Sequence, residues 1–91
     1  MSDHDLTKVR DLLYPGIVSV VMKFFGEPTK SGIKSDLVYE EGQLRFVLQS
    51  PEGHMIKGSV VKSVNEIEDN SYKEHFRPRL EAIARAFMDL L

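Results

Sequence analysis

Three histidines, His4, His54 and His75, are the side chains best suited to proton transfer or metal ligation near neutral pH. They stand at the N-terminus, at a hairpin turn and at the start of the last helical stretch. No two have the spacing of metal ligands, and none neighbours a serine or carboxylate in a nucleophile arrangement. They read as surface histidines. Ser2-Asp3-His4 has the order of an amino-terminal copper or nickel motif, which offers nitrogen donors in a square-planar field. It is short enough to arise by chance, and it needs Met1 removed.

Glu66, Glu68 and Asp69 form the strongly acidic stretch, and residues 63–70 carry a net −3. They lack the glycine and the alternating spacing of a calcium loop, so they read as acids favoured by the start of the helix that follows. Arg77, Glu81, Arg85 and Asp89 recur at i+4, which predicts alternating charges along one helical stripe. Arg79 stands off that stripe as the freer cation. The glycines are isolated, with no phosphate-binding loop, and there is no cysteine for thiolate chemistry or a thiolate-ligated metal. Nothing in the chain spells a catalytic motif, a metal site or a cofactor site, so the reading is non-enzymatic, with no cofactor.

The elements that position these side chains are read from pattern. Leu6, Val9 and Leu13 recur at helical spacing behind a cap at Ser2 or Asp3, and Pro15-Gly16 is the expected stop. Residues 17–25 are rich in β-branched and aromatic side chains, which favours a strand. Ile17, Val20, Val21, Phe24 and Phe25 also share one helical face, with Gly26 at a capping position. The strand is the reading adopted, with the helix kept as the alternative.

Residues 35–64 read as a three-stranded meander. Glu41-Gly42 is a two-residue turn that sets Tyr39 opposite Leu44 and Leu37 opposite Phe46. Ser50-Pro51-Glu52-Gly53 has type I turn chemistry. Closing it with Ser50 opposite His54 sets Leu48 against Ile56, Phe46 against Gly58 and Leu44 against Val60. Both turns therefore place one apolar set on one face. Phe76, Leu80, Ile83, Ala84, Phe87 and Leu91 make the stripe of a C-terminal helix, with a Ser71/Glu74 capping box and an expected extra turn or kink at Pro78. The fold class is α+β: an N-terminal helix, an antiparallel sheet of three to four strands, and a C-terminal helix, with the helices packed on one sheet face. Phe46, Leu80 and Phe87 are the expected core.

The length of 91 residues bounds the chain to one domain with one core, and 42% hydrophobic with 29% charged residues is ordinary for a globular protein. The absence of cysteine in so small a domain, the acidic N-terminal stretch and the lack of any membrane-length apolar run point to the cytoplasm, with no membrane association. The net charge of −2 and the lack of a basic block weigh against phosphate-backbone binding.

The open sheet face carries the functional reading. The derived register puts Val38, Val47, Met55 and Val61 there beside Arg45 and Lys57, an apolar patch with interspersed cations. That composition suits a small inhibitor, adaptor or chaperone-like subunit that binds a protein partner or a second copy of itself. The alternative is an RNA- or DNA-binding module. A helix, three antiparallel strands and a helix is an order that resembles double-stranded RNA-binding domains. Arg77 and Arg79 stand roughly where that family holds its phosphate-contacting basic cluster. The extra apolar segment, Pro78 between the arginines and the net acidity depart from the family pattern.

Overall fold

A computed structural model describes the backbone of residues 3–91 and the side chains of residues 8–91. Ser2 and the side chains of Asp3, His4 and Leu6, on which the expected cap, the Ser2-Asp3-His4 motif and the first apolar position rest, lie outside what is described. The order is α1 (Asp3–Phe25), α2 (Pro28–Ser31), β1 (Lys34–Glu40), β2 (Gln43–Gln49), β3 (Met55–Val61), α3 (Val64–Glu68) and α4 (Tyr72–Leu90). The strands form one antiparallel sheet in the order β1-β2-β3. The fold is α+β, as expected.

The strand expected over residues 17–25 is helix, and Pro15-Gly16 does not end α1 but lies inside it. Burial explains the outcome. Ile17, Val20 and Val21 are all buried in the core, and each such side chain is worth roughly 1.5–3 kcal/mol. A proline and a glycine inside a helix cost about 3 and 1 kcal/mol, so tertiary packing outweighs the local breakers. Gly16 also has a packing role, because a Cβ there would sit 3.1 Å from the ring of Phe76. Val9, Leu13, Ile17, Val20, Val21 and Phe24 form one stripe that runs straight through the proline.

Helices α1 and α4 run side by side in the same direction. Gly16 meets Phe76, Arg77 Nη2 donates to Ser19 Oγ at 3.3 Å, Lys23 Nζ pairs with Glu81 Oε1 at 2.9 Å, and the Phe25 and Phe87 rings meet edge to face at 5.7 Å. Both helices feed one core with Leu37, Leu44, Phe46 and Leu48, so both cover the same face of the sheet. Helix α4 runs unbroken from Tyr72 through Pro78. The Ser71/Glu74 capping box is not formed: Ser71 makes no side-chain cap bond, and Asp69 Oδ1 instead accepts the Ser71 N–H at 2.9 Å. Leu91, expected in the apolar stripe, lies beyond the helix and is 60% exposed.

The meander register holds at Tyr39↔Leu44, Leu37↔Phe46, Leu48↔Ile56 and Phe46↔Gly58. Glu41 and Gly42 both have positive φ, at 52° and 75°, as a two-residue turn matched to strand twist requires. In the second turn the Gly53 N–H donates to the Ser50 carbonyl at 3.1 Å, and the Ser50 N–H to the His54 carbonyl at 2.8 Å. One pairing differs: a register shift at Leu44/Arg45 sets Leu44 opposite Val61 rather than Val60.

Gly58 lets α4 lie close on β3, because an added Cβ would come within 2.7 Å of Ile83 Cδ1. Gly58→Val is therefore expected to cost about 1–3 kcal/mol through overpacking. In urea melts, Ile83→Ala in the same chain should recover part of that loss. Strictly additive costs for the two changes would place the conflict elsewhere.

Candidate functional site: the open sheet face

With both long helices on one face of the sheet, no helix or strand among the described residues packs across the other face. Its side chains follow from strand alternation and pairing. Val38 and Arg45 share a row with Ser59, Asp36 and Val47 with Lys57, and Gln49 links Lys34 to Met55. Val38 and Val47 are half-buried, and Met55 is 57% exposed.

Five of the six expected partner-binding residues, Val38, Arg45, Val47, Met55 and Lys57, stand on this face. Val61 does not. The register shift opposite Leu44/Arg45 turns it into the core, where its exposure is 0% alongside Val60. A bulge rotates the side chains that follow it.

The cations on the face are not free. Glu40 Oε1 takes Lys57 Nζ at 2.7 Å and Glu40 Oε2 takes Arg45 Nη1 at 3.2 Å, so one carboxylate of β1 spans the sheet to β3. Gln43 Oε1 accepts from Arg45 Nε at 3.3 Å and from Ser59 Oγ at 2.6 Å. The Lys57 hydrogen bond, helped by the charges of Lys57 and Arg45, holds the Glu40 carboxyl below its ordinary range. A polar belt at the β1–β2 turn end thus adjoins a mixed area toward the other end, where Val47 and Met55 stand among Lys34, Asp36 and Gln49.

That mixed area is shaped. Tyr14 of α1 reaches past β1 and, with Lys34, Asp36, Val38, Val47 and Gln49, walls a shallow groove of about 460 Å³. A second, larger cleft of about 560 Å³ opens at the far end of the molecule, among Phe24, Phe25, Ile33, Pro51, Met88 and Leu91. Sequence reasoning missed this cleft, because it forms only where the C-terminal ends of α1 and α4 meet the β2–β3 turn.

The alternative nucleic-acid site fares differently. Arg79 is the most engaged cation of α4: its Nη1 donates to Glu66 Oε1 at 2.6 Å and to the Val60 carbonyl at 3.1 Å. The expected freedom of Arg79 is therefore overturned, because Glu66 of α3 folds back on it. Arg77 reaches Ser19, Glu81 pairs with Lys23 of α1, and Arg85 lies 5.8 Å from the Phe24 ring. The expected ladder along α4 is replaced by contacts to α1. Glu66 and Asp69 likewise serve structure, one holding Arg79 and the other the Ser71 N–H. Among the described residues, no cluster of His, Asp or Glu is placed to hold a metal ion, and no helix is long and apolar enough to cross a membrane.

No family model, curated protein or solved structure matches this chain.

Proposed function

We propose that the protein is a non-enzymatic interaction module that binds a protein partner, or a second copy of itself, through the open sheet face. The observation that carries this reading is the packing of both α1 and α4 on the opposite face, which leaves Val38, Val47 and Met55 without a covering element. Apolar side chains gathered on an uncovered face favour association. The bordering charges of Glu40, Arg45 and Lys57 already satisfy one another. Each of these charges keeps an ion-pair partner when a partner protein covers it, which offsets part of the desolvation cost of burying ions.

Val47→Asp is the direct test. A carboxylate at the centre of the interface is expected to weaken association at least tenfold, while the half-exposed strand position keeps the domain folded. The readout is capture of partners from the source cells by the native and variant chains, with thermal melts as the folding control. Equal capture by both chains places the interface elsewhere, and a collapsed melt shows Val47 to be core. Salt-sensitive binding of duplex RNA or DNA, unaffected by the substitution, would favour the nucleic-acid reading instead.

A further inference from the structure

Strand β1 is an edge strand, and the middle of its free edge is occupied from within the chain. The Leu37 carbonyl accepts Arg10 Nε at 2.6 Å, and the Leu37 N–H donates to Asp36 Oδ1 at 2.8 Å. The same Asp36 oxygen pairs with Arg10 Nη2 at 3.0 Å, which closes the clasp. Both outward backbone groups of Leu37, the ones a further strand would use, are thereby satisfied by an arginine of α1 and a carboxylate of β1. Tyr14, one turn on from Arg10, extends past the same edge. Immediately after Tyr14 comes Pro15, which cannot donate to the Asp11 carbonyl, and then Gly16. The arginine-bearing turns, which carry Val9 into the core, therefore join the rest of α1 where the helix lacks one backbone hydrogen bond.

We infer that this stretch of α1 is a strap over a latent self-pairing edge: when the Arg10–Asp36 clasp opens, β1 pairs antiparallel with β1 of a second copy. The residues of β1 name the occupant. Centring the pair on Leu37 opposite Leu37 of the second copy sets Lys34 opposite Glu40 at both ends and Asp36 opposite Val38. Sliding by two residues in one direction sets Asp36 against Asp36, and in the other sets Asp36 against Glu40. Like charges directly opposed disfavour both slips, so the strand is complementary to itself in one register. The resulting sheet runs continuously through both copies. This inference goes beyond the face reading and is separable from it, since Arg10 belongs to α1 and Arg10→Met changes no side chain of the open face.

The test uses the full chain. Arg10→Met opens the clasp while keeping a long side chain, and Asp36→Ala opens it from the other side. Each is expected to lower the dimer dissociation constant at least tenfold against the native chain, read by light scattering over a concentration series. Because the protein has no cysteine, a mixture of Lys34→Cys and Glu40→Cys chains reports the register. In the Arg10→Met background an oxidised cross-link should form several times faster than with Arg10 present. Lys34→Glu in that background should undo the dimer. Folded variants that both stay monomeric, a cross-link indifferent to Arg10, or loss of fold in both variants overturns the lock.

Discussion

Replacing Phe87 with alanine is expected to remove about 3 to 5 kcal/mol of stability. A domain of this length holds roughly 5 to 14 kcal/mol in all, so the variant should stand near its folding threshold. The size follows from position. Phe87 is fully buried on α4, and its ring meets Phe25 of α1 edge to face at an interplanar angle of 80°. The truncation opens a cavity where two parallel helices and the sheet converge, and it also removes an aromatic pair worth about 1 kcal/mol. Phe24→Ala is the control. That ring is half-buried, between Lys23 at 5.6 Å and Arg85 at 5.8 Å, so its loss should cost about 1 kcal/mol. Urea midpoints at unchanged slope give both numbers. Equal costs for the two phenylalanines would show that the α1–α4 seam is not packed as described.

The meander was legible because its turns are written locally. Glu41-Gly42 and Ser50-Pro51-Glu52-Gly53 fix their own backbone geometry, and each then dictates the pairing of the strands it joins. The register shift at Leu44/Arg45 has no such local signature. It alone moved Val61 from the expected site into the core. Helix α1 misled for the opposite reason: Pro15-Gly16 is a strong local stop, and it is overridden by burial of Ile17, Val20 and Val21 against elements far along the chain. The apolar stripe from Val9 to Phe24, continuous through Pro15, was the available sign of a single helix. Val38, Arg45, Val47, Met55 and Lys57 still stand on the open face because the helix lies beside α4 and not across it. The loss of Arg79 as a free cation was not legible, since it depends on α3 folding back to bring Glu66 within reach.

Arg79→Met is expected to destabilise the protein by about 2 to 3 kcal/mol near neutral pH, and the deficit should shrink in acid. The side chains of Arg79 and Glu66 are only 22% and 14% exposed. Removing the cation strands a largely buried carboxylate and takes the Val60 carbonyl's side-chain donor, losses of the order of 1–3 kcal/mol or more when charge is involved. Burial alone would raise the Glu66 carboxyl. The Arg79 hydrogen bond, the Lys62 N–H and the charge of Arg79 outweigh it and hold the group below its ordinary range. A carboxyl lowered in the folded state contributes stability that is fully present above its unfolded value, about 4.3. That contribution is lost as pH falls through the folded value. The native chain should therefore lose more stability than Arg79→Met between pH 6 and roughly pH 3, and their melting curves should converge. Glu66→Gln placed on Arg79→Met should restore part of the loss at neutral pH, because the neutral amide needs no counter-charge and can still accept the Lys62 N–H. A deficit that stays constant across the acid range, or additive costs for the two substitutions, would mean that Arg79 acts through its packing stem alone and that its charge is available to a partner after all.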